Sequence, residues 1–374
     1  MTEVVDLTRR LIALDTVDGH ESSAHTIVGP LLEAAGFTVR VHEHAPGRGT
    51  LVAEWATGLD TPPLCLSGHL DTVPLGSQDW HHDPHTGDID GDHLYGRGAS
   101  DMKGGIAVIV LAAARMAANS RPRRAGLRII LSAAEETGAL GVRHLQTTLR
   151  NCRSGPLLIA EPTANALVHG HKGALWLEAR ASGITAHSST PHLGDNALYK
   201  LARAVTRLET FTFREADTPH SIMGTPTLNV GTFHAGLNPN SVPDQARATI
   251  DVRTVPGQSH SDVVARLAQH AGPDITLTPF LDLPPVWTEP DDEWARQANH
   301  IVSDIIGSTT SQARAATYFT DAAILTPLLG SVPTLICGPG QPELAHATDE
   351  WCSVTRLQES SMIHERIIQH WCGL

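Results

Sequence analysis

At 374 residues the chain exceeds the roughly 250 to 300 residues at which a single hydrophobic core stops growing, so two domains are expected. With 41% hydrophobic and only 18% charged residues, its composition is neither disordered nor fibrous. The formal net charge of -13, from 27 basic against 40 acidic residues, repels phosphate backbones and anionic lipid heads, which argues against nucleic-acid and membrane partners.

Taken from its start, the chain shows Glu3 and Asp6 and no basic region ahead of an apolar run, so no secretory signal is read there. The spacing of Val4, Leu7, Leu11 and Leu14 predicts one face of an amphipathic helix instead. The most apolar run, residues 106–114, is far shorter than the roughly 20 residues of a membrane span. A cytoplasmic protein is expected. Five cysteines without a CxxC pair read as buried thiols and not as a disulfide framework.

Between residues 63 and 172, short apolar runs at 64–67, 127–134 and 157–159 alternate with helical patterns at 104–118 and 142–149. That alternation predicts an α/β fold with a mainly parallel sheet flanked by helices, whose carboxyl strand ends form the ligand-binding edge. From 173 to 283 the texture changes: strand-like alternation at 175–181 and 246–253 surrounds a helical pattern at 197–208, predicting an inserted α+β domain. Pro284-Pro285 marks the return. The α/β domain is therefore expected in two parts, 1–172 and 284–374. Its second part reads as a helix over 291–306 and a strand over 332–337 that enters the Gly338-Pro339-Gly340 turn.

The chemistry-bearing residues follow the predicted strand ends. In Gly68-His69-Leu70-Asp71 the two polar side chains share a face, since residues two apart on an extended segment do so. A metal-binding histidine commonly donates its second N–H to a carboxylate, and Asp71 is placed for that or for direct ligation. The Gly-rich segment Gly96–Gly105 holds Asp101, which can bridge two metals; by itself the segment also fits a helix N-cap by Ser100 or Asp101. Glu135 and Glu136 can serve one site only where the strand has ended and the chain turns. One of the pair can then ligate metal while the other takes a proton from water, though a solvated acidic turn explains the dipeptide alone. Adding Glu161 and His346, the residues His69, Asp101, Glu136, Glu161 and His346 make two imidazoles and three carboxylates. A nitrogen and oxygen set without thiolate suits two zinc ions sharing one carboxylate.

These segments together resemble one family over nearly the whole chain: the acetylornithine deacetylase, succinyl-diaminopimelate desuccinylase and carboxypeptidase G group of zinc hydrolases. The blocks stand in the family's order, with GHLDTVP at 68–74, GRGASDMKGG at 96–105, AAEETG at 133–138, EPT at 161–163, AHSSTP at 186–191, and GPG at 338–340 before AHATDE ending at Glu350. The resemblance implies a zinc-exopeptidase-like catalytic domain with residues 173–283 as a lid that makes a homodimer. It implies two Zn2+, replaceable by Co2+, with His69 and Glu161 on one, Glu136 and His346 on the other, and Asp101 between them. Asp71 would orient His69, Glu135 would be the general base, and the peptide after Asp101 would be cis. His187 is similar to the family's oxyanion-stabilising histidine, which reaches the partner subunit's site, while Asn240 and Arg253 match substrate-binding positions.

The expected activity is deacylation of an N-acyl amino acid. A carboxypeptidase or dipeptidase acting on short peptides with the same zinc pair is the nearest rival. The family's glutamate-for-aspartate choice at the Glu161 position weighs against aminopeptidase chemistry, and Thr320-Asp321-Ala322-Ala323 lacks the arginine that follows it in desuccinylases. Against a metal-binding protein without catalysis stands Glu135. A serine hydrolase finds no GxSxG motif here. His81, His82 and His85 depart from the family pattern and read as surface residues.

Overall fold

The computed structural model describes residues 2–17, 19–150, 152–213, 220–307 and 312–374. Leu64–His69, Leu127–Ser132 and Leu157–Ile159 are buried at every position, which is why they read as continuous apolar runs: a strand covered on both faces needs no alternation. Leu64–His69 pairs in parallel with both of the others, and Thr334–Ile336 adds in parallel beyond Leu157–Ile159. The hairpin Thr38–Ala45 and Arg48–Trp55 completes the six-stranded sheet through antiparallel pairing with Leu127–Ser132. The sheet is thus mixed and mainly parallel. Its register sets His69 opposite Ser132, so the carboxyl ends of neighbouring strands lie side by side.

Helices cover this sheet. Gly104–Asn119 is apolar nearly all round, with Ile106, Val108, Ile109 and Val110 fully buried, and it packs against Glu3–Ile12 and Val354–Cys372. The expected helix over 142–149 is two short ones, Leu140–His144 and Gln146–Leu149, because Leu145 between them has ψ -4° and unwinds the turn. All five cysteines are free, and Cys152 alone is not buried. No helix among the described residues is long and apolar enough to cross a membrane.

The chain forms two compact units: Met1–Gly170 with Trp287–Arg314 and Thr320–Leu374, and His171–Val286 with Ala315–Phe319. In the second, Thr227–Ala235, Gln245–Thr254, Gly173–Ser182 and Ile275–Leu283 lie in that order as an antiparallel sheet. Leu175, Leu177, Ala179 and Ala181 point to one face and join Ala248, Ile250 and Val252 there, against the apolar sides of helices Ala197–Glu209 and His260–Ala271. Asn196 and Ser259 cap those helices by accepting from the N–H of Tyr199 and Asp262. Half-buried or exposed Trp176, Glu178 and Arg180 take the alternate positions, the period-two pattern of a sheet with one core face.

One buried imidazole in the first unit gives the fold a pH dependence. His364, on Val354–Cys372, donates from Nδ1 to the Ser360 carbonyl at 2.9 Å, while its buried Nε2 has no partner. Burial lowers its pKa from 6.5 to about 4. Between those values the unfolded chain binds the proton and the folded chain does not, so stability is lost as pH falls through that window. His364→Leu removes this loss. In urea titrations the variant should gain on the wild type from pH 6.5 downward, by up to roughly 3 kcal/mol near pH 4; a difference that stays constant with pH would show that the imidazole is not the source.

Candidate metal centre

His69 ends its strand, and its ring is fixed from behind. Nδ1 lies 2.9 Å from the carbonyl oxygen of Asp71; a carbonyl only accepts, so Nδ1 carries a hydrogen and, with a cation in place, Nε2 is the nitrogen that offers its lone pair. Nε2 faces Asp101 Oδ1 at 2.9 Å and Glu161 Oε1 at 3.7 Å. The other Asp101 oxygen, Oδ2, lies 3.4 Å from His346 Nε2, which is 3.0 Å from Glu136 Oε1. Two trios result, His69–Asp101–Glu161 and Asp101–Glu136–His346, and within each the donor atoms lie within 4.8 Å of one another. Asp101 belongs to both, with one oxygen toward each imidazole. The Asp101–Met102 peptide is cis.

The electrostatics of the cradle call for added positive charge. Burial opposes a charge on His69, but the Glu161 and Asp101 carboxylates outweigh it and raise its pKa well above 6.5. His346 rises to about 10 through hydrogen bonds to Asp101 and Glu136. Glu161 is pushed up to about 7 by burial, reinforced by the charges of Asp101 and Glu136 and opposed by His69. Burial also works against the Asp101 carboxylate, which hydrogen bonds from the two imidazoles hold below its ordinary range. Three carboxylates and two imidazoles converge with no lysine or arginine ion-paired to the carboxylates among the described residues, which fits a pair of divalent cations in both charge and donor type.

The turn after Leu127–Ser132 separates the two adjacent glutamates. Asp71 fixes it: Oδ1 accepts from the Glu135 N–H at 3.1 Å and Oδ2 from the Glu136 N–H at 3.0 Å, while the nearer oxygen remains 3.7 Å from His69 Nδ1. The ring is oriented by the backbone of Asp71 and the glutamate turn by its side chain. Glu136 enters a metal trio. Glu135, 4% exposed, enters neither; its buried Oε1 has no hydrogen-bond partner, and burial raises its pKa well above 4.5.

A second buried carboxylate, Glu350, holds the loop that carries Asp101. It accepts from the N–H groups of Gly98, Ser100 and Asp101 at 3.0, 2.8 and 2.9 Å and from Arg97 Nη1 at 2.7 Å. Arg97 also donates to the carbonyls of Ala347 and Pro74, so one fully desolvated ion pair ties the Asp101 loop to the segment of His346. His81 and His82 brace the same segment through Asp349, His81 by Nδ1 at 2.6 Å and His82 by its backbone N–H at 3.3 Å. Close backbone approach completes the frame. A Cβ at Gly338 would stand 2.1 Å from the Ala160 carbonyl oxygen, and one at Gly340 would stand 2.2 Å from that of Ser100.

Reading motifs in isolation passes over Arg97 and Glu350 as site residues, although both lie within the blocks of family resemblance. Asp321 is a further omission: it heads the helix Ala322–Leu328, accepts a hydrogen bond from the Ser132 hydroxyl, and is pushed by burial to about 7. In the second unit, His187 and Asn240 are brought together, since His187 bridges Ser241 and the Ser188 N–H donates to Asn240 O at 3.0 Å. His187 is exposed, and its Nδ1 accepts from the Ser189 N–H at 3.1 Å, which leaves Nε2 as the hydrogen-bearing atom. Arg253 is partly buried, with Nε and Nη2 at 3.2 and 3.1 Å from Asp251 Oδ2.

Comparison with known proteins agrees with this geometry. The model of peptidase family M20/M25/M40 matches residues 65–370. An acetylornithine deacetylase of Vibrio cholerae serotype O1 is 30% identical over 351 residues, covering 91% of this chain and 89% of that one. A probable succinyl-diaminopimelate desuccinylase of Staphylococcus aureus is 28% identical over 392 residues, covering 96% of each. Among solved structures, an M20 family metallo-carboxypeptidase from Sulfolobus solfataricus shares the fold with a TM-score of 0.82 at 18% identity, covering all of both chains. A dinuclear metal-binding peptidase of Bacillus subtilis does so with a TM-score of 0.74 at 16% identity, covering 99% of this chain and 98% of that one.

The Glu350 clamp makes a testable demand. Glu350→Ala leaves the Arg97 guanidinium buried and unpaired, at a cost of about 3–5 kcal/mol, so the informative variant is Glu350→Gln, which keeps the volume but turns an amide N–H toward backbone N–H donors. Purified Glu350→Gln should stay folded by circular dichroism while its bound divalent metal, counted by elemental analysis after desalting, falls below the wild-type content. Undiminished metal would show that the clamp does not set the cradle.

Proposed function

The chain belongs to peptidase family M20/M25/M40, and from that premise we propose that it is a dinuclear zinc deacylase that releases an amino acid from its N-acyl derivative. Membership makes it a metal-dependent hydrolase of amide or peptide bonds. The observation that carries the finer reading is the shared carboxylate of Asp101 between two imidazole–carboxylate arms, with the unligated, partnerless Glu135 on the adjoining turn. The acetylornithine deacetylase among its relatives supports the choice of an acylated amino acid over a peptide.

His69 and Glu161 would hold one cation, Glu136 and His346 the other, and Asp101 both. Bound there, the pair supplies Lewis acidity and lowers the pKa of water toward neutrality. Glu135 takes the proton of the attacking water at its free Oε1 and passes it to the departing amine, a role open to it because neither trio uses its carboxylate. Asp71 keeps that carboxylate in place through the two backbone N–H groups of the turn. From the second unit, His187 offers Nε2–H to the oxyanion, across a homodimer made by residues 173–283. Arg253 holds the carboxylate end of the substrate, for which its planar guanidinium is suited, and Asn240 also binds the substrate.

Glu135→Ala tests the assignment. Metal content should remain near that of the wild type while kcat on N-acyl amino acids falls at least about 100-fold, the scale of a positioned acid or base; unchanged kcat would remove Glu135 from the mechanism. A panel of N-acetyl amino acids, N-succinyl amino acids and dipeptides, assayed with the zinc-loaded enzyme, should give its highest kcat/KM on an N-acetyl member. Preference for the dipeptides would replace deacylation with dipeptidase activity and leave the metal assignment standing.

A further inference from the structure

The two imidazoles of the cradle are held in different ways. The His69 side chain is 1% exposed, and its Nδ1 is fixed by the Asp71 carbonyl. The His346 side chain is 53% exposed, and its polar contacts among the described residues all run through Nε2. No second-ring-nitrogen bond orients it from behind, as a metal-binding imidazole usually requires, so the ring takes its direction from its backbone. That backbone needs holding. His346 has φ +65° and Asp349, three residues on, has φ +56°, left-handed conformations that a residue with a Cβ keeps only where its surroundings impose them.

Residues 80–82 supply much of that hold. Asp349 Oδ1 accepts from the backbone N–H of His81 at 2.7 Å and of His82 at 3.3 Å, and Oδ2 accepts from His81 Nδ1 at 2.6 Å. Trp80 lies over Arg97, its ring centroid 5.1 Å from the guanidinium carbon, and Arg97 donates to the Ala347 carbonyl. The segment is itself anchored: the His82 ring stacks on Tyr95 with centroids 3.8 Å apart and planes 12° apart, and Tyr95 pairs with Trp351 across the strands His93–Tyr95 and Trp351–Ser353. With its imidazole 87% exposed, the His81 ion pair contributes little by its charge. The two N–H groups on one carboxylate oxygen fix the geometry without it. We propose that Asp349 and residues 80–82 form a latch that positions His346 for the second cation, an inference that rests on the dinuclear reading above. His81 is a surface residue, as its sequence context implies, and the latch uses its backbone N–H.

Asp349→Gly and Asp349→Asn test the latch. Glycine accommodates the positive φ and removes both acceptors; asparagine also accommodates it, keeps an oxygen for the two N–H groups and gives up the charge. In chelator competition on the zinc-loaded, full-length protein, the weaker of the two zinc affinities should fall about tenfold or more in Asp349→Gly and less than about threefold in Asp349→Asn, with the tighter affinity within about twofold of wild type in both, on the scale of a lost outer contact to a metal ligand. Hydrogen exchange of the peptide spanning residues 345–350 should quicken in Asp349→Gly and not in Asp349→Asn. Wild-type zinc affinities or wild-type exchange in Asp349→Gly, an equal weakening of both zinc ions, or an asparagine variant as weak as the glycine one would each overturn the proposal. A wild-type protein that binds a single zinc would instead fault the dinuclear reading, and the exchange of residues 345–350 in the two variants then decides for or against the latch by itself.

Discussion

Buried negative charge is the constraint around which the first unit is organised. Asp71, Asp101, Glu135, Glu161, Asp321 and Glu350 are all buried, and an isolated carboxylate in that setting either finds partners or takes up a proton. Two of the six are satisfied by the protein itself: Glu350 by Arg97 and three backbone N–H groups, and Asp71 by the N–H groups of Glu135 and Glu136. Asp321 has the Ser132 hydroxyl on one oxygen and nothing on the other. At the cradle, Asp101, Glu135 and Glu161 share two imidazoles, too little positive charge for three carboxylates and for Glu136 beside them. The satisfied pair act as framing and the unsatisfied group at the cradle as a candidate cation site, and the distinction follows from counting donors.

That division also explains which parts of the site could be read from sequence. His69, Asp101, Glu136, Glu161 and His346 stand at strand ends or in Gly-rich turns, where polar residues interrupt apolar runs and so are conspicuous one by one. The framing residues give no such signal. Arg97 and Glu350 are separated by 253 positions, and nothing local in either segment announces a partner that far away. Asp71 shows a related limit. Its spacing from His69 puts the two on one face, but only the folded turn reveals that its carbonyl faces the ring and its carboxylate faces the glutamate N–H groups.

The fold was legible to a similar depth and for the same reason. Continuous apolar runs fixed the buried parallel strands, and period-two alternation fixed the strands Gly173–Ser182 and Gln245–Thr254. The hairpin Thr38–Ala45 and Arg48–Trp55 is less conspicuous, because its edge strand carries Arg40, His42 and His44 in place of an apolar face. An edge strand that is half exposed and charged resists edge-to-edge aggregation, and the same charge hides it from a search for hydrophobic periodicity. Ala315–Phe319 joins the second unit across a long stretch of chain, a long-range association that no local periodicity encodes.

His69 and His187 illustrate what remains invisible until hydrogen bonds are assigned. Both carry an imidazole whose Nδ1 is engaged within two residues of its own position, yet in opposite senses. His69 Nδ1 faces a carbonyl oxygen and must donate, whereas His187 Nδ1 receives a backbone N–H and must accept. The first arrangement exposes a lone pair at Nε2 and the second a hydrogen, so one ring is prepared to ligate a cation and the other to stabilise an anion. Exchanging the two local backbones would leave the sequence motif of each histidine intact and reverse the chemistry it can offer; the roles proposed for these residues therefore rest on the turn beneath each ring as much as on the ring.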